Sequence, residues 1–321
     1  MIERIFHPIG QGAFYSERHM SCNINIVYDC GTTDPSLPAK QKVVSDSFSE
    51  DDVIHILFIS HFDQDHISLI DTLKKAVKKI ERVVLPLLHD EQKIFLSNIY
   101  KALRQSRLAK LVSDPNEFFG GETKIIGVRP SSDTEIGEIA SLNVLEINET
   151  RTEIQSGTPL TINGFNDWVY IPFNYQYKTR SNVGKLKTDP DYLLYGITDA
   201  EKKKIIGVYN GRGIYKGKGV SGNINENSMF LYSGPSCKKD LHKHSWISGH
   251  YRCDLFRCYV DIDCHPHRVA CLYTGDGDLN KVDIRKIYRR YWDLIGTIQI
   301  PHHGSSASFS VNVLDWERFL C

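Results

Sequence analysis

Apolar positions fall in short runs along the chain, and the way each run ends is informative. Residues 5–12 form a short apolar run that breaks at Gly10-Gln11-Gly12. In residues 23–29, Ile24, Ile26 and Tyr28 alternate with Asn23, Asn25 and Val27 before Cys30-Gly31-Thr32. Alternation with polar ends predicts a strand pair. Residues 53–60 are nearly all apolar and rich in β-branched side chains, the pattern of a strand buried on both faces, and they end at His61. Helical spacing over 67–82, with Leu69, Leu73, Ala76 and Ile80 on one face, predicts a helix. Residues 83–88 read as the next strand, and 91–111, carrying Ile94, Ile99, Leu103 and Leu108, as another helix. Strand and helix alternate, which predicts a layered α/β domain.

Residues 124–128, 141–147, 160–163 and 168–172 read as strands of a second sheet. Later strands are expected at 228–232, 269–274 and 295–300, with a helix over 279–291. Residues 174–221, rich in Gly, Lys and Asn, give no clear period. No repeat or long low-complexity linker divides the 321 residues, so residues 1–321 read as a single domain.

Composition adds mostly exclusions. Hydrophobic content of 41% and charged content of 24% are those of an ordinary globular protein. No stretch approaches the ~18 consecutive apolar residues of a membrane span. Residues 1–12 lack the basic start and apolar run of a signal peptide. The expectation is a cytoplasmic protein with no membrane partner. With 39 Lys and Arg against 39 Asp and Glu, net charge gives no global case for nucleic-acid binding. Locally, Lys202, Lys203, Lys204, Arg212, Lys216 and Lys218 are spread among glycines. They read first as a solvated loop, and second as a basic flap gripping a phosphate backbone.

The chemistry concentrates where three of the expected strands end. These ends are Ser60-His61-Phe62-Asp63-Gln64-Asp65-His66, Thr274-Gly275-Asp276, and Pro301-His302-His303-Gly304. Loops leaving neighbouring strands at one sheet edge can bring such residues together. The first cluster, H-x-D-x-D-H, has four metal-ligand types in six positions. A helix N-terminus would explain one capping Asp. It would not explain two His and two Asp directly after an apolar strand.

Residues 58–69 resemble the metallo-β-lactamase superfamily signature H-x-H-x-D-H. They are most similar to its DNA-uptake branch, the ComEC-type competence nuclease domain, where the second His is likewise Asp. Gly10-Gln11-Gly12, Asp29-Cys30-Gly31, Asn227-Ser228 with Met229 to Leu231, Tyr273 to Asp276 and Pro301 to Ser305 resemble further family motifs in the family's order. The matches span residues 5–308, and H-x-D-x-D-H and H-H-G-S are the specific ones. The resemblance implies a four-layer αββα sandwich with two divalent ions at one edge. His61 and Asp63 would bind one ion, Asp65 and His66 the other, Asp276 would bridge, and one of His302 and His303 would complete the second site, with His303 favoured by its alignment on the following glycine. His302 would then contact the scissile phosphate or a group behind the ligands, and Asp29 would be a buried carboxylate behind the ligands, with a strand-end turn cap as its alternative. Ser305 and Ser308 could donate to the phosphate, though a polar turn is the simpler reading. No isolated His between His89 and His242 stands out as the family's usual middle ligand. Carboxylates in place of imidazoles shift preference from Zn²⁺ towards Mn²⁺ or Mg²⁺, so Mn²⁺ is expected for activity, with Zn²⁺ able to bind.

The implied activity is phosphodiester hydrolysis by a water activated between two cations, with Asp65 orienting the water. Nucleic acid, DNA foremost, is the expected substrate. By analogy the chain would be a soluble defence effector with a protein partner or as a homo-oligomer, and the apolar tail 316–321 is available for such a contact. The alternative is a small-molecule hydrolase (a lactonase, thioesterase or phosphoester esterase), which the neutral net charge favours. A third reading is a binding module that keeps metals for stability.

Five of the eight cysteines and five of the 13 histidines fall between Cys237 and Cys271. Residues 234–268 read as a Cys/His-rich insertion in a hairpin that the family keeps short. Cys237, Cys253, Cys258, Cys264, His265 and His267 are candidate ligands of a structural Zn²⁺ that would fold a segment with no apolar core. The irregular spacing leaves open that these are incidental thiols, with Cys271 in a buried strand.

Overall fold

The computed structural model describes residues 2–162, 165–176, 214–215, 218–219, 228–237, 268–306 and 308–309. The chain opens with β1 (Ile2–Phe6), β2 (Gly12–His19), β3 (Ile24–Thr32), α1 (Pro38–Ser45) and β4 (Val53–Phe58). Next come α2 (Gln64–Ile67), α3 (Ile70–Ala76), β5 (Lys79–Ile80), β6 (Arg82–Pro86), α4 (Asp90–Ala102), α5 (Ser106–Ser113), α6 (Pro115–Phe119) and β7 (Lys124–Val128). After them lie β8 (Leu142–Asn143), β9 (Arg151–Ile154), β10 (Leu160–Ile162), β11 (Phe165–Asn174) and a small hairpin of β12 (Ile214–Tyr215) and β13 (Lys218–Gly219). The described chain closes with β14 (Met229–Pro235), β15 (Ala270–Tyr273), α7 (Ile284–Ile287) and β16 (Ile295–Ile298).

The fold is mixed α/β with two main sheets. One runs β1-β2-β3-β4-β6-β7-β9, with β5 beside β4; the other runs β16-β15-β14-β11-β10-β8. Each sheet contains a parallel pair whose C-terminal ends lie side by side: β3 with β4, and β15 with β16. Three buried clusters hold these parts together. The first joins one face of the larger sheet to helices α1 and α3 to α6, through Leu57, Ile59, Leu73, Ile99 and Leu111 among others. The second lies between the sheets and includes Ile56, Phe58, Tyr170 and Leu231. The third packs Ile171, Phe230 and Leu272 against Ile284, Ile287 and Tyr288. Residues 53–60 lack alternation because β4 is buried on both sides.

Several expected boundaries move. The helix expected over 67–82 is two short helices and a strand. The Leu69 N–H donates to Cys30 O at 3.0 Å, and the extended, β-branched Val77 ends α3. The helix over 91–111 breaks at Arg104, whose φ is +59°. Residues 124–128 form β7 of the larger sheet, paired with β6, rather than a strand of the second. Residues 141–147 hold only β8 and a 3-10 turn, and of 279–291 only α7 is α-helical. Residues 12–19, not expected as a strand, form β2. Among the described residues no helix is long and apolar enough to cross a membrane.

Candidate metal centre

The site lies where both parallel pairs end. β3 leads into Asp29 and Gly31, β4 into Ser60 and His61, β15 into Asp276, and β16 into His302 and His303. Ser228 enters from the start of β14, and the Met229 N–H donates to Ser60 O at 2.8 Å, joining the sheets at this edge. Two glycines permit the approach. A Cβ on Gly31 would lie 2.5 Å from backbone atoms of His66 and Ile67. Gly275, at φ +53°, rests against the Ser60 side chain.

Two groups of donors converge here: His61, His66 and Asp276, all buried, and Asp65, His66 and His303. His66 Nε2 is 3.0 Å from Asp276 Oδ1, and His61 Nε2 is 3.9 Å from Asp276 Oδ2. Behind the rings, each Nδ1 meets a fixed oxygen. His66 Nδ1 lies 2.8 Å from Asp29 Oδ2. His61 Nδ1 lies 2.9 Å from Ser60 Oγ and 3.1 Å from Ser228 Oγ. Asp29 also accepts from the Ser60 N–H and hydroxyl, each at 2.7 Å. Ser228 Oγ accepts from the Asp276 N–H at 2.9 Å. Hydrogen bonds at Nδ1 fix the tautomer and turn both Nε2 atoms inward. His61 Nε2 is buried with no hydrogen-bond partner among the described residues. An unsatisfied buried polar atom costs about 1–3 kcal/mol, and coordination to a cation would remove that cost.

Electrostatics agree. Burial, helped by the neighbouring His66, lowers the His61 pKa to about 3, so this imidazole is neutral and able to ligate. Burial would lower His66 too, but Asp276 and Asp29 outweigh it and raise its pKa well above the usual value. Burial opposes ionisation of Asp276, yet His66 and His61 hold its carboxyl well below the usual range. The cluster is built around positive charge. A proton on His66 supplies some of it, and a divalent cation would supply more.

The second group is more open. His303 Nε2 is 3.0 Å from Asp65 Oδ2. His302 turns the other way, with Nε2 3.9 Å from Asp276 Oδ2 and Nδ1 3.0 Å from Ser308 Oγ. Their side chains remain 29% (His302) and 28% (His303) exposed. The rings diverge because His302, His303 and Gly304 all have positive φ, at 49°, 52° and 82°. Such strain, about 1–3 kcal/mol per non-glycine residue, is held by the His302 N–H donating to Gly275 O at 3.2 Å. His66 belongs to both groups, and with Nδ1 on Asp29 its one inward nitrogen serves one ion.

The structure thus brings together His61, Asp65, His66, Asp276, His302 and His303, with Asp29 behind His66. Asp63 is a member of neither donor group. Its Oδ1 caps α2, accepting from the Gln64 N–H at 2.7 Å, because the first turn of a helix leaves N–H groups without partners. The Ser305 N–H bonds His302 O at 2.9 Å within the same turn. Cys237 follows β14 and is exposed, while Cys253, Cys258, Cys264, His265 and His267 lie outside the described residues. Lys202, Lys203, Lys204, Arg212, Lys216 and the tail 316–321 also lie outside them.

Sequence reasoning did not pick out Ser60 as a partner of the ligands, nor Gln299. A signal existed for Gln299, a lone amide between Ile298 and Ile300 in an apolar strand.

Neither a protein-family model nor a curated protein matches the chain. The donor geometry itself defines the class: a buried His/Asp cluster able to hold a metal ion.

Proposed function

We propose that this chain is a metal-dependent hydrolase of the metallo-β-lactamase type that cleaves phosphodiesters, with nucleic acid as substrate. One observation carries the reading: His61 and His66, each braced at Nδ1, aim Nε2 at the buried Asp276 carboxylate. The three buried clusters, helices on sheet, sheet on sheet, and sheet on helix, support a four-layer αββα sandwich with the site at the shared edge.

His61, His66 and Asp276 would hold one divalent ion, and Asp65 and His303, beside Asp276, would hold a second. Bound ions supply Lewis acidity and an activated water. Asp65, whose carboxyl is held below its usual range by His303 and His66 against the effect of burial, stays ionised and can orient that water. His302, half-buried and held through Nδ1 by Ser308, can present Nε2 to a substrate oxygen at the mouth. With Asp63 capping α2, the converging set is three imidazoles and two carboxylates, a mixture that suits Zn²⁺ as well as Mn²⁺.

The test is incubation of wild-type and His66→Ala protein with plasmid, linear DNA, RNA, a lactone and a thioester, each with Mn²⁺, Mg²⁺ or Zn²⁺. Cleavage of nucleic acid by the wild type alone supports the proposal. Turnover of only the lactone or thioester, or of nothing, rejects it.

A further inference from the structure

Gln299 is not one of the proposed ligands, yet its side chain is buried and hydrogen-bonded at both ends. Its Oε1 accepts from the Thr274 N–H at 3.0 Å and the Gly275 N–H at 3.3 Å. Two donors at this oxygen settle which end of the amide is carbonyl. Its Nε2 therefore faces β2, donating to the Tyr15 hydroxyl at 3.2 Å. Its main chain accepts from the Thr274 hydroxyl at 2.8 Å and donates to Leu272 O at 2.9 Å. The turn held this way presents Asp276 on one side and, through Gly275 O, receives the His302 N–H on the other. Ser60 and Ser228 wall the opposite face of Gly275.

We infer that Gln299 is a positioning residue: its carbonyl fixes the Thr274–Gly275 turn, and so sets where the Asp276 carboxylate and the His302 loop meet the metal centre. This rests on the metal reading above for its consequence, though not for its geometry. Without the acceptor, two buried N–H groups lose their partner and the turn gains alternatives. A filler of equal size does not cure this, whereas a carboxylate does, because it accepts both N–H bonds.

The experiment compares wild type, Q299M and Q299E in two measurements: amide hydrogen exchange of EDTA-treated protein, and calorimetric titration with Zn²⁺ and Mn²⁺. In Q299M the Thr274 and Gly275 amides should exchange about tenfold faster while the strands exchange as in wild type. Metal affinity should fall about tenfold. Q299E should restore both. Wild-type exchange and affinity in Q299M, or a Q299E that behaves like Q299M, overturns the inference. If Q299M does not fold, wild-type protection and affinity in Q299E support it, and loss of both overturns it. A wild type that binds neither metal refutes the metal reading, while the exchange comparison still decides the role of Gln299.

Discussion

The Asp29 carboxylate and the His66 ring meet at 2.8 Å, Oδ2 to Nδ1, with both groups buried. Asp29 is itself in the left-handed region, at φ +56°, so the end of β3 is bent to place this oxygen. Its carboxylate accepts from the Ser60 N–H and hydroxyl and faces His66 Nδ1, leaving no place for a donor.

Asp29→Asn should therefore be costly despite its shape, because its amide sets an N–H against one of those donors. We expect destabilisation of about 1–3 kcal/mol and a fall in metal affinity of about 10–100-fold. Urea denaturation and calorimetric titration of the same protein check both.

Metal binding should stabilise the fold. An ion at a concentration 100 times its Kd adds about 2.7 kcal/mol. Wild type should melt higher with Zn²⁺ or Mn²⁺ than in EDTA, and His61→Ala and Asp276→Asn should lose most of that difference. Thermal unfolding monitored by circular dichroism reads it.

Gly31→Ala should disturb the centre without touching a ligand side chain. The new methyl would collide with the backbone of α2 at His66 and Ile67. Backbone cannot rotate away as a side chain can, so about 1–3 kcal/mol of stability should be lost, with weaker metal binding. Urea midpoints with and without metal separate the two effects.

A pH-dependent contribution lies elsewhere, between the sheets. Glu17 is paired with Arg4 at 2.7 Å and accepts from Ser233 and Tyr273, at 2.7 and 2.8 Å. Burial opposes its ionisation, but Arg4 and His19 outweigh it, so its pKa is lowered. A lowered carboxyl pKa contributes stability above the unfolded value, about 4.3, and loses it as pH falls towards the folded value. Glu17→Gln takes the carboxylate from the part-buried Arg4, which keeps its bonds to Val269 O and Ser233 O, and should cost about 1–3 kcal/mol at neutral pH. The deficit against wild type should shrink below about pH 4. Urea titrations at pH 7 and in this acidic range test the sign.

The same Glu17 shows why β2 was not legible. Ser16, Glu17, Arg18 and His19 are a run of polar residue types, yet Ser16, Glu17 and His19 are buried, with hydrogen bonds or ion pairs to His7, Arg4, Ser233 and Tyr170. A hydrophobic pattern cannot register buried polar groups whose partners are distant in sequence. By contrast β4 was readable, because a strand covered on both faces is a continuous apolar run. His61, Asp65, His66 and Asp276 stood out because ligand types crowd at strand ends. Asp63 is read with them, and its Oδ1 also caps the four-residue helix α2, a role that spacing does not register. The assignment of β7 to a sheet was equally hidden, since pairing with β6 is decided by the connection through α4 to α6 and not by residues 124–128.

The decisive measurement is anomalous diffraction from crystals grown with Zn²⁺ or Mn²⁺, with data on both sides of the metal's absorption edge. A peak should stand about 2.0–2.2 Å from His61 Nε2, His66 Nε2 and an Asp276 carboxylate oxygen. No peak among these three side chains, in crystals whose protein still has the fold described, would contradict the metal centre and the hydrolase built on it.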